Sequence, residues 1–112
     1  MKKNPKIYLE LMLDAARKIK KYTSRTTSEH FTKNEEKQSA VIMQLIIIGE
    51  LAKKLPESYK SHIALPWKQI AGFRNRAVHE YFSLDIQDLW QTVTVDIPEL
   101  DRAIQTFVKN LN

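Results

Sequence analysis

The sequence predicts an all-α protein, a compact bundle of four to five helices. Only two glycines and four prolines interrupt the 112 residues, so turns are few and long helices are favoured. Apolar residues recur at spacings of three and four, which places them on one face of a helix, and no run alternates apolar and polar residues as a half-buried strand does. The length and the 43% hydrophobic content fit one domain over residues 1–112.

The first helix is predicted over residues 7–22. Its lysines crowd the far end, where positive charge suits the helix dipole. Residues 23–27 then indicate a helix end and a turn. The apolar stripe that predicts this helix consists of Tyr8, Leu11, Met12, Ala15, Ala16, Ile19 and Tyr22.

A short helical turn is expected over residues 28–31, with a cap for the next helix over residues 32–34. The second long helix is predicted over residues 35–55. Its isoleucine run, residues 46–48, is β-branched and could favour a strand, but no turn separates the run from its helical flanks. The stripe of this helix consists of Val41, Leu45, Ile48, Ala52 and Leu55.

Residues 56–66 are predicted to be a linker, because a proline stands at each end of a polar stretch. A third helix is expected over residues 67–82. A fourth begins at Ile86, with Ser83 and Asp85 both suitable as its N-cap. Pro98 lies inside the apolar pattern of this last helix, which predicts a kink or break near Asp96 and Ile97.

Composition excludes several kinds of chemistry. The chain has no cysteine, which excludes disulfides, thiolate metal sites and cysteine nucleophiles. No apolar run is long enough for a membrane span or a signal peptide core, so we expect a soluble, cytoplasmic protein.

Charge is distributed unevenly along the chain. Residues 1–76 carry 16 basic and 7 acidic residues, whereas residues 77–112 carry 2 basic and 6 acidic residues. The basic part suits a polyanion such as RNA, although charge alone favours an ordinary solvated surface.

Polar residues of unusual chemistry gather in residues 74–81. On a helix, with about 100° between successive residues, Arg74, Asn75, His79 and Tyr81 share one broad face, with Tyr81 two turns beyond Arg74. The intervening charged residues, at 76 and 80, fall on the opposite side as an i,i+4 pair of opposite charge. The spacing therefore predicts that the four polar groups act together.

These side chains are the types that RNA cleavage without a metal requires. Histidine is the side chain whose ordinary pKa lies near neutrality, so His79 could exchange a proton with a ribose hydroxyl or a leaving oxygen. Arg74 could bind the scissile phosphate, and Asn75 could hold the imidazole or a phosphate oxygen. Because acid and base are both needed, a symmetric dimer would supply the second histidine. From the pattern alone, however, such a cluster is more often ordinary surface.

Other candidate sites are weak. His30 and His62 have no spaced ligand partners, so no metal site is expected. The two glycines are isolated, which excludes a phosphate-binding P-loop, and no cofactor is expected. Trp67 and Trp90 are interpreted as core or interface anchors.

The segment 74–81, RNRAVHEY, resembles the Arg-x4-His-x-Tyr motif of HEPN-domain proteins, in particular the HepT-like ribonuclease toxins. Three further segments are similar to that family in the same order: residues 48–53 (IGELAK), 66–72 (PWKQIAG) and 96–100 (DIPEL). The four matches span most of the chain. Residue 80, which the motif leaves free, is glutamate here.

The resemblance implies a metal-independent endoribonuclease toxin that acts as a homodimer on RNA. It implies that Arg74 and His79 are catalytic and that Asn75 supports them. It also implies a partner, a minimal nucleotidyltransferase antitoxin that transfers AMP to Tyr81 and so blocks cleavage. Glu50, in the second matching segment, could orient Arg74 or be a solvated acid. The alternative function is a non-catalytic module that binds nucleotide or accompanies a nucleotidyltransferase.

Overall fold

A computed structural model describes residues 4–111 and confirms the all-α class. Three short helices lie between four longer ones, and one 3₁₀ turn and one π-helical segment complete the described chain. The elements are α1 (Pro5–Thr23), α2 (Ser28–Lys33), α3 (Glu35–Lys54), α4 (Glu57–Lys60), α5 (Trp67–His79), the 3₁₀ turn Tyr81–Ser83, α6 (Ile86–Gln91), the π segment Thr92–Asp96 and α7 (Ile97–Lys109).

Polar caps set the starts of the first three helices. The Asn4 side chain accepts a hydrogen bond from the Lys6 amide at 2.9 Å, and Pro5 occupies the first turn of α1, where its missing N–H costs little. Thr27 caps α2 in the same way. Asn34 caps α3 by accepting from the amide of Lys37 at 2.9 Å. The predicted helices at 7–22 and 35–55 are thus confirmed to within a few residues.

The core lies around α1, which packs on α3 and on α7. Phe31 from α2 is fully buried, and its ring centroid lies 5.1 Å from that of Trp90 on α6. Trp90 is therefore a packing anchor, as the sequence predicted. Besides Phe31, the largest fully buried side chains are Leu9, Met12 and Ile19 of α1, Val41 and Ile48 of α3, Leu89 of α6 and Ile104 of α7.

The linker predicted at 56–66 is confirmed as a connection but contains a helical turn, α4, that the prediction missed. Pro56 stands at the N-cap, and the Tyr59 and Lys60 amides donate to its carbonyl. The Trp67 indole Nε1 donates to the Ile63 carbonyl at 3.0 Å and so closes the connection against the start of α5. Trp67 is a structural anchor here.

The last helix is irregular where Pro98 predicted it. Between α6 and α7, residues Thr92–Asp96 are wound as a π-helix, and the Ile97 amide donates to Thr92, five residues earlier. Proline has no amide hydrogen to bond Thr94, so the regular pattern cannot continue through this point. The helix therefore changes its winding without a gap in the chain.

The third helix ends earlier than predicted. α5 stops at His79, Glu80 leaves the helical region at φ −136°, and Tyr81–Ser83 form a 3₁₀ turn. The helical projection therefore holds from 67 to 79 and is wrong for Tyr81 and Phe82. No helix within residues 4–111 is both long and apolar enough to cross a membrane.

Candidate active site

The site lies where α5 packs on α3. The helices run antiparallel, since Arg74 contacts Glu50 late in α3 whereas Tyr81 contacts Ser39 early in it. Their backbones come close at Gly49: a methyl group there would stand 2.6 Å from the Arg74 Cβ and 3.1 Å from the Ile70 carbonyl oxygen. Only glycine fits this contact without moving α5, so Gly49 sets how near Arg74 lies to α3.

Arg74 is held from two sides. Its Nε forms an ion pair with a carboxylate oxygen of Glu50, and both contacting atoms are shielded from solvent. This contact is not a well-aligned hydrogen bond, so charge attraction dominates it. One terminal nitrogen of Arg74 donates to the side-chain oxygen of Asn75 at 3.1 Å. Within residues 4–111, three of the five guanidinium N–H groups make no contact with another protein group and can bind an anion, and the side chain is 26% exposed.

Asn75 and His79 are both exposed and lie one turn apart on α5. Because the Asn75 oxygen accepts from Arg74, its amide hydrogens are left to donate toward His79 or toward a ligand. His79 is the last residue of α5, about 7.5 Å along the axis from Arg74 at about 1.5 Å per residue. A phosphodiester lying over this turn could contact both groups.

Tyr81 lies elsewhere than the helical projection placed it. Because α5 ends at His79, the tyrosine is not stacked over Arg74; its hydroxyl lies 3.3 Å from the Ser39 hydroxyl. Ser39 and Glu50, the α3 residues that contact Tyr81 and Arg74, are three turns apart, about 16 Å at about 1.5 Å per residue. Tyr81 therefore marks one end of the site, Arg74 the other, and His79 lies between them. Tyr81 is 44% exposed.

Arg76 faces the other side of α5, as the projection predicted. Its guanidinium stands 5.6 Å from the centre of the Phe73 ring. Both residues line a cavity of about 310 Å³ between α5 and α7, walled by Leu45, Ile70 and Ile97 among others. None of the predicted site residues lines this cavity; Asn75, His79 and Tyr81 are exposed on the surface, and Arg74 and Glu50 are partly exposed.

Four exposed apolar residues stand on the elements that carry the polar groups. We call them the apolar patch; they are Met43 and Ile47 on α3, Val78 on α5, and Phe82 in the 3₁₀ turn. Phe82 is fully exposed, and its ring meets that of Tyr81 edge to face at 5.9 Å between centroids. An unburied aromatic ring beside a polar cluster is typical of a surface that another molecule covers.

Two residues of the site were missed or undervalued in the sequence. Ser39 gave no signal, because a serine on an exposed helix face resembles any solvated residue. Gly49 was noted only as an isolated glycine and as part of a segment similar to the family, although an isolated glycine inside a helix pattern indicates a close contact. Across residues 4–111 no three histidine, aspartate or glutamate side chains gather as metal ligands would.

Comparison with known proteins identifies the family. The family model described as "Ribonuclease HepT-like" matches residues 12–107. A protein of Thermococcus cleftensis named "Probable ribonuclease HepT" is 40% identical over 101 residues, which cover 89% of this chain and 92% of the relative. A protein of Caldanaerobacter subterraneus subsp. tengcongensis named "Putative RNase" is 33% identical over 108 residues, 96% of each chain. No solved structure matches the chain. Because the family model covers most of the sequence, including the α3–α5 site, the chain belongs to the HepT-like ribonuclease family.

Proposed function

We propose that this chain is a metal-independent endoribonuclease that cleaves RNA with Arg74 and His79 and acts as a homodimer. The observation that carries the proposal is the fixed guanidinium of Arg74, with free N–H groups beside an exposed imidazole one to two turns along the same helix. Arginine provides anion binding and histidine provides proton transfer near neutral pH. Family membership supports RNA as the substrate.

The proposed reaction is an internal transfer at phosphorus. The ribose 2′-oxygen attacks the adjacent phosphorus while one His79 takes its proton. The bond from phosphorus to the 5′-oxygen breaks, and a second His79, protonated and supplied by the other protomer, gives a proton to that oxygen. The products are a 2′,3′-cyclic phosphate and a 5′-hydroxyl. Arg74 and the Asn75 amide stabilise the charge that builds on the phosphate oxygens.

His79→Ala tests the proposal. Purified wild-type protein in the presence of a chelator should cut RNA and leave cyclic phosphate ends. His79→Ala should lose about two orders of magnitude or more in rate, as expected when a general acid or base is removed. His30→Ala is the matched control, since His30 is exposed on α2 and outside the site. A wild-type protein that leaves RNA intact would refute the proposal, and so would a His79→Ala variant as fast as the control.

The apolar patch supports the homodimer. An exposed phenylalanine ring can bury roughly 150–250 Å² on association, which makes Phe82 its strongest anchor. Within the protomer, Phe82→Ser removes only the edge-to-face contact with Tyr81, so its melting temperature should stay close to wild type, whereas the dimer constant measured by sedimentation should weaken roughly thirtyfold. Val95→Ser is the control, since Val95 is 52% exposed on the π segment. Equal effects of both variants would remove the patch from the interface.

We propose further that the protein is a toxin silenced by a nucleotidyltransferase partner through AMP transfer to Tyr81. In that step the Tyr81 hydroxyl oxygen attacks the α-phosphorus of ATP, loses its proton, and pyrophosphate leaves. The exposed ring at the end of the site supports this, because an added adenylate would bring negative charge and bulk next to His79. After incubation with the partner and ATP, intact mass should show one AMP on wild type and on Tyr22→Phe. If Tyr81→Phe also gains that mass, the acceptor is another residue.

A further inference from the structure

Helix α5 carries a polar line on its outward side that extends beyond the residues assigned above. With Arg74 set at zero and about 100° per residue, Lys68, Gly72, Asn75 and His79 fall between about 100° and 160°. All four lie inside α5 (Trp67–His79), where the projection holds. Ala77, the buried residue of this helix, falls on the opposite side at about −60°. We call these four residues the outer line; Lys68, Asn75 and His79 are exposed.

Gly72 is the unexplained member of the outer line. Glycine is among the poorest residues for a helix interior, so a glycine there usually has a packing reason. Gly49 has one, since its missing methyl group makes room for Arg74. Gly72 has none within the described chain, because a methyl group added to it would meet nothing within 4 Å. The space above Gly72 is therefore open for a molecule that binds from outside.

We propose that single-stranded RNA runs along the outer line, passing closest to the helix backbone at Gly72, with Lys68 binding a phosphate upstream or downstream of the one that is cut. This inference rests on the proposed RNA cleavage. Lys68 and His79 are eleven residues apart, about 16 Å at about 1.5 Å per residue. With the spacing of about 3.4 Å per phosphate along one strand of a duplex as the guide, that distance corresponds to about five nucleotides.

Charge favours RNA over a second copy of the chain as the occupant. A lysine, an amide and an imidazole suit a phosphate backbone, and basic side chains supply most of the affinity for such a strand. The exposed apolar residues of the patch suit a protein partner instead. The outer line thus presents its polar groups to RNA, and the apolar patch is the surface assigned to the second protomer, whose His79 completes the site at the phosphate that is cut.

Gly72→Ala tests the closest approach. Alanine fits the open space and is a better helix former, so we expect the melting temperature to rise by about 4–8 °C. The same methyl group should push the strand away from the helix. A hydrogen-bonded phosphate tolerates little displacement, so binding of a short 2′-fluoro RNA oligomer, which cannot be cleaved, should weaken by about tenfold or more. A variant that is more stable and binds this RNA as wild type does would overturn the proposal.

Lys68→Ala tests the distal phosphate. For single strands, each phosphate contact contributes about 0.7 to the slope of log affinity against log salt concentration. We expect Lys68→Ala to lower that slope by about 0.7 and to weaken binding about fivefold, the upper range for an exposed ion pair. Lys109→Ala, the same charge change at an exposed position on α7, should leave the slope unchanged. Equal slopes for both variants would remove Lys68 from the RNA path.

The measurements separate this inference from the proposed function. If wild type neither cleaves RNA nor binds the 2′-fluoro oligomer, the proposed function fails. If wild type does both and Gly72→Ala and Lys68→Ala match it, only the inference fails. If Gly72→Ala weakens the dimer in sedimentation and leaves RNA binding by the remaining dimer unchanged, the outer line contacts a second protomer and the RNA assignment is wrong.

Discussion

At the scale of single residues, Gly49 controls the position of Arg74. The missing side chain lets α3 approach within contact of the Arg74 Cβ, and the next residue, Glu50, then reaches the guanidinium. Close packing and charge pairing are thus combined in two consecutive residues. The geometry of the site depends on α3 as much as on the helix that carries the motif.

We predict that Gly49→Ala destabilises the protein and reduces activity. A methyl group 2.6 Å from the Arg74 Cβ must push α5 away, and overpacking of this kind costs about 1–3 kcal/mol, offset by up to about 1 kcal/mol of improved helix propensity. Urea unfolding should show a net loss of about 1–2 kcal/mol. Gly72→Ala is expected to raise the free energy of unfolding instead of lowering it. The two variants make the same substitution in neighbouring helices and therefore serve as controls for each other. An increase in stability for Gly49→Ala would contradict the close contact.

The side of the helix on which a residue lies could be predicted from the sequence wherever the helix is regular. The sequence correctly turned Arg76 away from the site, because α5 is intact through that turn. It misplaced Tyr81, because helix ends depend on backbone hydrogen bonds that periodicity does not reveal. The Glu80 amide still donates to Arg76, but the chain then leaves the helix, and the tyrosine reaches Ser39 instead.

At the scale of elements, the start of α6 resolves a choice that the sequence left open. Ser83 and Asp85 were both suitable caps. In the structure the Asp85 carboxylate accepts from the amides of Gln87 and Asp88 at 2.8 and 3.3 Å, while the Ser83 hydroxyl donates to the Glu80 carbonyl. Asp85 is therefore the cap, and Ser83 stabilises the 3₁₀ turn before it.

Asp85→Ala is predicted to lower the free energy of unfolding by about 1 kcal/mol, the usual loss when a helix N-cap is removed. Ser83→Ala, an exposed position two residues away, should change it by less than about 0.5 kcal/mol. Both values can be measured by chemical denaturation. If Ser83→Ala proved the costlier change, the cap assignment would be reversed.

Long elements were easier to predict than short ones. The stripes of α1 and α3 extend over several turns, so their periodicity identified both helices. α4 has four residues, fewer than periodicity can reveal, and was hidden in a linker whose prolines indicated only turns. Pro98 located the irregular winding of the last helix, but the π form depends on which carbonyl each amide reaches, and sequence spacing does not show that.

At the scale of the whole molecule, an ion pair joins the first and last helices of the described chain. Lys20 on α1 contacts Asp101 on α7, 81 residues later. Burial by itself raises the pKa of Asp101, but hydrogen bonds from Lys20 and Gln105 and the positive charge nearby outweigh it, so the pKa lies below its ordinary value. The charged form of Asp101 is thus favoured by folding.

The lowered pKa of Asp101 determines how this contribution to stability changes with pH. A carboxylate whose pKa is lowered in the folded state contributes stability above its unfolded pKa of about 4, and that stability is lost as the pH falls through the lower, folded value. We predict that Asp101→Asn costs up to about 1 kcal/mol near pH 7, because the lysine is exposed, and that the difference from wild type shrinks below about pH 4. Glu10→Gln, at an exposed position on α1, is the control. A constant difference across this range would exclude the ion pair as the cause.

The anchoring of α5 also affects how the protein loses activity when it is heated. This helix contains one buried residue, Ala77, packs mainly on α3, and is separated from α7 by the 310 Å³ cavity. Few buried apolar contacts favour local opening before global unfolding. The backbone amides of α5 should therefore exchange with deuterium sooner than those of α1 or α3. RNA cleavage should then stop at a lower temperature than the one at which the bundle melts.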